Sequence, residues 1–416
     1  MDQPIHLSVV ATSRNDNHGG SLTHRMQHFV DGFVAQCKRH HLRAELILVE
    51  WNPPADRVPL AEELRWPKDS SPCDIRIVTV PREVHARIPN ADKIPLYQML
   101  AKNVGIRRAR GEYILATNID ILFSDESMAR IRDNLQTGVL YRAERVDVPT
   151  EVPDAEDFAA VLDFCRREGF RVHAPAHTVA RKGSSWSALE RWRARLDPRL
   201  VYLGRLGHMA LSPFRLLGLA VVSPQQARAR ISRYVEHVSP TAAGALSVTG
   251  VGSETSEKLS ALTRIGRYFG ERVTGVPRRL VRPWRFTNAC GDFTLLSRKD
   301  WARLGGYPEW PVFSWHLDSI LLYQAEGVGL REESFGPEAP IYHIEHGKGS
   351  GYTPEGAEAL FSALVKRGIP FLSDAELRQV HSRIAGRARS QQGPLFTGPT
   401  WGMADVGLPD RMMNIA

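Results

Sequence analysis

Several features that mark common classes of protein are missing from this 416-residue chain. Its four cysteines are far apart and form no CxxC pair, which argues against a zinc knuckle or a disulfide framework and favours a reducing cytoplasm. Neither GxGxxG nor GxxxxGKS/T occurs, so a dinucleotide fold and a P-loop are disfavoured. No signal peptide is expected, because the amino-terminal residues already have the pattern of a strand. The most apolar long stretch, residues 201–222, contains Arg205, His208 and Arg215, so no membrane-spanning helix is expected.

The charge of the chain is unevenly distributed. The whole chain has 54 Lys plus Arg against 46 Asp plus Glu, whereas residues 181–290 alone have 19 against 6. Such a basic block suits phosphate-rich partners, anionic lipid headgroups or nucleic acid. A solvated, Arg-rich helical surface is an equal alternative, because charge pattern alone has little specificity.

The amino-terminal part of the chain alternates short apolar strands with helical patterns. This alternation predicts an α/β fold with a mostly parallel sheet covered on both faces. Strands are predicted at 6–13, 44–52, 74–81 and 111–123, and helices at 21–40 and 96–110. The first helix has one apolar face, and the second is predicted to end with Gly111 as its C-cap.

The remainder divides into three parts. Residues 150–285 have a helical, basic pattern without strand alternation, which predicts an insertion. Strand and helix patterns return from residue 286 and continue to about 385, and the segment after Gly386 is predicted to be a loosely packed extension. The expected units are therefore 1–149, 150–285, 286–385 and 386–416.

Polar residues follow the buried strand predicted at 111–123. Asn118-Ile119-Asp120 interrupts an apolar run, and the carboxyl end of a central strand is where open α/β sheets bind ligands. A hard cation such as Mg²⁺ or Mn²⁺ prefers carboxylate oxygens together with substrate phosphates, so Asp120 is a candidate metal ligand. The alternative is an N-cap for the next helix, although Ser124 and Asp125 are better placed for it.

His316 and Asp318 stand at the start of an apolar helix. A carboxylate there can take a proton from an attacking hydroxyl, as a general base does. The alternative is helix capping, but Ser314 is already available for that role.

A third cluster contains His343, Glu345 and His346, at the end of a predicted strand and before a Gly-rich loop with Lys348. Imidazole is an acceptable ligand for Mn²⁺ and a common one for zinc, although a single strand histidine is more often a hydrogen-bonded core residue. Asp292 and Asn288 could bond sugar hydroxyls, or simply form a turn.

His24 and His28 are four residues apart on the first predicted helix. The HExxH motif is absent and no carboxylate completes the pair, so no metal site is predicted there.

Taken together, these segments resemble a known family. The segments SVVATSRND, AKNVGIRRARGEYI, ATNID, GDFTLLSRKDWARLGGYPE, WHLDS and YHIEH, in this order, resemble the GT-A nucleotide-sugar-dependent glycosyltransferases, especially those of family 2. The match covers roughly 5–125 and 286–350, about half of the chain. It implies a GT-A-like mixed, mostly parallel sheet flanked by helices, with 1–149 as the nucleotide-sugar-binding half and 286–385 as the acceptor-binding and catalytic half.

The resemblance also implies roles for individual residues. Asp120 would bind Mn²⁺ or Mg²⁺ with His343 and His346, and Asp318 would be the base of an inverting transfer. Donor contacts are implied for Thr12, Arg14, Asn15, Glu50, Lys102, Asn103 and Asn118, and acceptor contacts are expected for Asp292 and His316.

The expected partners are a nucleotide-sugar donor and a glycan or lipid-linked acceptor. Residues 181–290 would contact the inner face of the membrane peripherally, and no nucleic acid is expected. Two departures from the family pattern are Asn118, where the first aspartate of the DXD motif is usual, and His316-Leu317-Asp318, where an acidic pair is usual. A catalytically silent GT-A-like protein that binds a glycan or a partner is the alternative.

Overall fold

The computed structural model describes residues 4–154, 157–175, 178–180, 285–346, 358–386 and 394–413, which fall in one compact unit. The basic block from 181 to 284 and the apolar stretch 201–222 lie outside the described residues, so the expectations attached to them stay predictions. No helix in the described parts is both long enough and apolar enough to cross a membrane. All four cysteines are buried, and none forms a disulfide.

The main sheet is mixed, and its centre is parallel. Four parallel strands lie side by side in the order β4, β1, β2, β3, and they run over Leu7–Ser13 (β1), Ala44–Trp51 (β2), Cys73–Val80 (β3) and Tyr113–Thr117 (β4). Next to β4 lie β10 (Phe293–Ser297), antiparallel to both neighbours, then β6 (Val139–Arg142) and β11 (Arg331–Ser334). At the other edge β13 (Asp410–Met412) pairs antiparallel with β3. The predicted mixed, mostly parallel α/β sheet is therefore confirmed.

A second, smaller sheet has the order β5, β12, β7, β8, β9 in the described residues. Its strands are Ile121–Phe123 (β5), Arg145–Val148 (β7), Arg171–His173 (β8), Thr178–Ala180 (β9) and Ile341–Ile344 (β12). The single strand predicted over 111–123 is wrong, because the chain leaves the main sheet after Thr117 and enters the second sheet at Ile121. The helical pattern expected from residue 150 is also wrong for 171–180, where strands of three residues are too short to show alternation.

Helices cover both faces of the main sheet. Their bounds are Leu22–Arg39 (α1), Leu60–Glu63 (α2), Arg82–His85 (α3), Gln98–Arg108 (α4), Asp125–Asp133 (α5), Phe158–Glu168 (α6), Arg298–Leu304 (α7), Leu317–Gly327 (α8), Glu358–Lys366 (α9) and Asp374–Gly386 (α10). Alternate residues of β1 enter different cores: Leu7 and Val9 pack with the apolar face of α1, whereas Val10 packs with α4 and α8. This two-sided burial explains the continuous apolar strands in the sequence.

Two local expectations are wrong. Gly111 is not a helix cap, because α4 ends at Arg108 with Ala109 as an extended C-cap. A Cβ at Gly111 would instead lie 2.6 Å from the backbone nitrogen of Ser8, so glycine is needed where the chain passes close to β1.

The carboxyl-terminal segment is also packed more closely than its composition predicts. Trp401 is buried beneath the Arg107 guanidinium, and Arg108 donates to the carbonyls of Gly402, Met403 and Val406. Residues 394–413 therefore cover the end of α4, because two arginines and one aromatic ring anchor a segment without periodicity.

Replacement of Gly111 by Ala tests the close approach to β1. The new methyl group meets backbone atoms of Leu7 and Ser8, which cannot rotate away, so we expect a loss of about 1–3 kcal/mol in the free energy of unfolding. Urea denaturation measures it. Gly407→Ala is the matched control, since no atom lies within 4 Å of its Cβ position, and equal effects of the two substitutions would contradict the packing argument.

Glu144 predicts a pH dependence of stability. Burial, assisted by Glu338, raises the pKa of its carboxyl to about 7 from 4.5. Between these values the unfolded chain has released a proton that the folded chain keeps, so this group lowers stability as the pH rises from 4.5 to about 7. We expect Glu144→Gln to be more stable than the wild type by about 2 kcal/mol above this window and equal to it below. Replacement of the exposed Glu338 by Gln should increase the free energy of unfolding by less. An increase for Glu144→Gln that does not depend on pH would contradict the raised pKa of Glu144.

Candidate active site

The junction of the two sheets positions the polar triplet. The chain crosses from β4 to β5 over residues 118–120, and the carbonyl of Asp120 accepts a hydrogen bond from Ile344 N of β12 at 3.0 Å. The end of β12 carries His343 and His346 to the same place. The structure therefore brings Asp120 together with two histidines that lie more than 200 positions further along the chain.

These three side chains have the donor set of a metal centre. Asp120 Oδ2 lies 3.8 Å from His343 Nε2 and 3.5 Å from His346 Nε2. Ligands bound at about 2.0–2.2 Å from a divalent cation stand roughly 3.0–3.4 Å apart, so a small closure would suffice. Asp120 Oδ1 is buried and accepts no hydrogen bond from any described residue, which leaves one carboxylate oxygen for a cation. The group therefore fits a divalent metal.

Asp147 of β7 orients the imidazole of His343. Its Oδ1 lies 3.2 Å from His343 Nδ1, and because an ionised carboxylate only accepts, Nδ1 carries the proton and Nε2 faces Asp120. Burial lowers the pKa of His343, as does Arg145, but Asp120 and Asp147 outweigh them and the net pKa is raised. Asp147 itself stays ionised, because its bonds to His173 and His343 lower its pKa despite burial.

Arg25 of α1 was missed by sequence reasoning. Its guanidinium is 1% exposed, donates to Asp120 Oδ2 at 2.8 Å and also bonds the carbonyls of His18 and Gly20. A signal for it existed, since Arg25 lies in the apolar face of α1 next to Met26. Gly19 nearby has φ +74°, and a Cβ there would lie 2.5 Å from His346 Nδ1, so glycine lets this loop approach the site.

Asn118 points away from the metal group and joins two other charges. Its Oδ1 accepts from Lys102 Nζ at 2.9 Å and from Gln98, while its Nδ2 donates to Asp292 Oδ1 at 2.5 Å. An amide can donate and accept at once, whereas a carboxylate at this position would face Asp292 with like charge. The departure from the DXD pattern is therefore explained by the neighbours of residue 118.

Lys102 is fully buried beneath the triplet. It donates to Asn118 Oδ1 and, at 2.7 Å, to the carbonyl of Gly291. Burial lowers the pKa of its ammonium to about 8, against the opposite effect of Asp292 and Asp318. Lys102 therefore holds Asn118 and the segment before β10 together, and its buried nitrogen acts on a ligand only through them.

Asp292 is bound on both of its oxygens. Asn118 bonds Oδ1, and Arg145 Nη1 lies 2.6 Å from Oδ2. Burial raises the pKa of Asp292, but Arg145, His343 and Lys102 together lower it, so the buried carboxylate is ionised. Its predicted contact with an acceptor has little support here, because protein groups occupy both oxygens.

Asp318 lies close enough to Lys102 to raise the pKa of its ammonium, and the Asp318 side chain is partly exposed. Its Oδ1 accepts from Ser319 N at 2.8 Å, and a Cβ at Gly291 would lie 3.2 Å from its Oδ2. Gly291 therefore leaves space beside the carboxylate of Asp318. The carbonyl of Gly291 accepts the hydrogen bond from Lys102. A half-exposed carboxylate next to a glycine is accessible to a bound hydroxyl.

The start of α8 differs from the prediction. Its N-cap is His316, with φ 72° and no side-chain capping bond, so the expectation that Ser314 caps the helix is wrong. The His316 ring lies 3.1 Å from Asp374 of α10, and this pairing lowers the pKa of Asp374. An acceptor contact by His316 stays a prediction.

The residues with predicted donor contacts near β1 and β2 all make bonds within the protein. They hold the ends of these strands to the loop that follows β2: Thr12 Oγ1 bonds Val49 O, Arg14 Nε bonds Asn52 O, Asn15 Nδ2 bonds Val58 O, and Glu50 accepts from Leu60 N. Burial raises the pKa of Glu50. Their roles in donor binding stay predictions.

Asn103 of α4 holds the segment at Tyr307 and Glu309 in place through hydrogen bonds. It is fully buried, its Oδ1 accepts from Tyr307 N, and its Nδ2 donates to Tyr307 O and Glu309 Oε1. Gly306, with φ +75°, allows this approach, since a Cβ there would lie 2.3 Å from Asn103 Oδ1. These contacts argue against a donor contact by Asn103.

The expectation that no carboxylate completes the His24 and His28 pair is wrong. Asp154 Oδ1 lies 3.2 Å from His28 Nε2 and 4.0 Å from His24 Nδ1. The loop after β7 brings it there from more than 120 residues away, which spacing along α1 cannot reveal.

Comparisons with known proteins give likenesses to solved structures alone. No protein-family model matches the chain, and no curated protein matches it. Among solved structures, the chain is similar to the crystal structure of GalNAc-T7 with UDP, GalNAc and Mn²⁺, with 11% identity and a TM-score of 0.37. The alignment covers 98% of this chain and 57% of that one, so the chain spans less than two thirds of its length.

Replacement of Asn118 by Asp tests why the triplet has one carboxylate. The change restores a DXD pattern, but it loses the bond to Asp292 and opposes two carboxylates, with partial relief from Lys102. We expect a loss of about 2 kcal/mol of stability near pH 7, and a smaller loss near pH 4 where one carboxyl takes a proton. Urea denaturation at both pH values measures it, with the exposed Asn134→Asp as control. Stability equal to the wild type near pH 7 would contradict the role given to Asn118.

Proposed function

We propose that the chain is a glycosyltransferase that transfers a sugar from a nucleotide diphospho-sugar to a glycan or lipid-linked acceptor, with inversion. The observation that carries the proposal is that two groups lie within electrostatic reach of the same buried lysine, Lys102. One is the metal-type group of Asp120, His343 and His346, and the other is the partly exposed carboxylate of Asp318. The motifs that resemble the GT-A family contain these same residues, which supports the same function.

The roles of the residues follow from their environments. Asp318 takes the proton of the acceptor hydroxyl while the hydroxyl oxygen attacks the anomeric carbon of the donor sugar. The bond between that carbon and the diphosphate breaks, and the diphosphate leaves with the electron pair. Asp120, His343 and His346 would hold a Mn²⁺ or Mg²⁺ ion, which supplies Lewis acid stabilisation of the negative charge on the leaving group. Arg25, held against Asp120, adds a fixed positive charge at the same place.

The two parts of the chain have different roles in this proposal. Residues 1–149 supply the strand-end loops for the nucleotide, whereas 286–385 supply the base and the acceptor side. Peripheral contact of residues 181–290 with the inner face of a cytoplasmic membrane would bring the chain to a lipid-linked acceptor, since a basic surface is attracted by anionic headgroups. The location and the acceptor are part of the proposal.

Donor binding and turnover test the proposal together. UDP-, GDP-, TDP- and CMP-sugars are screened by thermal shift with and without Mn²⁺, and a donor at about a hundred times its dissociation constant adds about 2.7 kcal/mol of stability. We expect one diphospho-sugar to give a Mn²⁺-dependent shift that Asp120→Asn loses. Asp318→Asn should keep the shift but release nucleotide diphosphate about 10²–10⁴-fold more slowly, because only the base is removed.

The matched control is Asp133→Asn, at an exposed aspartate on α5. It should bind and turn over like the wild type. No shift with any donor would contradict the proposal, and unchanged turnover in Asp318→Asn would contradict the role of the base. A shift with CMP-sugars alone would contradict the diphosphate donor.

A second candidate is a catalytically silent protein of this fold that binds a glycan or a partner. The Arg25 pair favours it, because a built-in cation already compensates Asp120 at 2.8 Å. The same experiment separates the two. A silent protein shows no release of nucleotide diphosphate in the wild type or in Asp318→Asn, even where a donor binds.

A further inference from the structure

The outer side of α1 carries two histidines that meet a carboxylate from another part of the chain. His24 and His28 are one helical turn apart, and their ring centroids are 4.5 Å apart. Asp154, from the loop after β7, brings its Oδ1 to 3.2 Å from His28 Nε2 and 4.0 Å from His24 Nδ1. The three ligand atoms lie within 4.8 Å of one another.

His28 Nε2 and Asp154 Oδ1 are close enough for a hydrogen bond, but the imidazole and the carboxylate do not have the orientation that a hydrogen bond requires. His28 Nε2 is buried and makes no hydrogen bond of good geometry with any described residue, although Asp154 Oδ1 is only 3.2 Å away. Two ligands of one tetrahedral cation stand roughly 3.3 Å apart and point at the cation instead of at each other. His28 is 8% exposed, so its Nε2 is a buried polar atom that lies within 4.8 Å of the ligand atoms of Asp154 and His24.

The charges around the cluster suit a cation. Burial lowers the pKa of His28, and so does His24, which favours the neutral imidazole that binds metals. Arg65 also lowers the pKa of His28, and its positive charge opposes a bound cation, whereas the carboxylate of Asp154 favours one. Asp31, one turn further along α1, is a second carboxyl group near the cluster, and its pKa is raised by burial and, least strongly, by Asp154.

We propose that His24, His28 and Asp154 form a second divalent cation site, of the zinc class, separate from the group at Asp120. Two imidazoles and a carboxylate are a donor set that zinc binds well. Asp154 is 81% exposed in its side chain, so the fourth position faces solvent. The site does not depend on the proposed function.

Occupancy of this site would fasten the loop after β7 to α1. Thr150 in the same loop donates to the carbonyl of Glu345, and Glu345 N donates to Val148 O. The loop that carries Asp154 is thus bonded to the residue that precedes His346. The zinc ion would therefore order residues 149–154 and support the segment that bears His346.

The test is Zn²⁺ binding to the full chain, measured by isothermal titration together with amide hydrogen exchange of residues 150–152 and 154. We expect the wild type and Asp120→Asn to show zinc-dependent slowing of exchange in this loop. Asp154→Asn, His28→Gln and His24→Gln should each lose the slowing and bind one equivalent less zinc than the wild type. The control His41→Asn removes one exposed imidazole at a positive-φ position that Asn tolerates, and it should behave like the wild type.

Asp154→Asn keeps the test decisive, because this exposed side chain can change without loss of the fold. Retention of full zinc stoichiometry and of loop protection in Asp154→Asn and both histidine variants would overturn the proposal. So would an equal loss in His41→Asn, which would mean non-specific binding to imidazoles. Loss of loop protection in Asp120→Asn would also overturn it, by assigning the effect to the other group.

Discussion

A largely buried guanidinium joins the two sheets and affects the charges around the candidate active site. Arg145 of β7 lies 2.9 Å from Asp147 on its own strand and 2.6 Å from Asp292, which precedes β10 in the main sheet. Burial opposes its charge, but the two aspartates raise its pKa further above the usual value, so it stays protonated. Removal of one partner from such a cluster typically costs about 3–5 kcal/mol, because an uncompensated charge remains buried.

The composition of the polar triplet follows from this pair. Because Arg145 holds Asp292 ionised, residue 118 has to donate to Asp292 while it accepts from Lys102, and asparagine does both. Asp120, two residues later, faces the opposite side, where Arg25, His343 and His346 surround it. Within the triplet, Asn118 therefore helps to hold the sheets together, and Asp120 is available to a ligand.

Much of this arrangement was readable from the sequence, and the reasons for the rest are physical. The long strands β1 to β3 and the helices α1 and α4 were predicted because burial on two faces leaves continuous apolar runs or one apolar face. Strands β5, β8 and β9 have three residues each, which is too few for a period. Asp120, His343 and Asp318 were found because each is polar next to an apolar element. Arg145 and Asp147 are two residues apart and share one face of a strand, so the sequence contains a signal for their pairing. Asp154 and Asp374 have no such signal, because they reach their partners only through tertiary folding.

Asp120 has room for both a fixed cation and a bound one. Its Oδ2 is engaged by Arg25, while Oδ1 is buried and has no described hydrogen-bond partner. An unsatisfied buried carboxylate oxygen is costly, and in Asp120 that oxygen belongs to an aspartate that also lies beside two imidazoles. A cation bound through Oδ1 would remove this cost without displacing Arg25, and the hydrogen bond to Asp147 leaves Nε2 of His343 facing the same carboxyl group, 3.8 Å from its Oδ2. The one-carboxylate motif is therefore consistent with a working cation site, since the second carboxylate of the usual pair would repel Asp292 without reaching the ligand side.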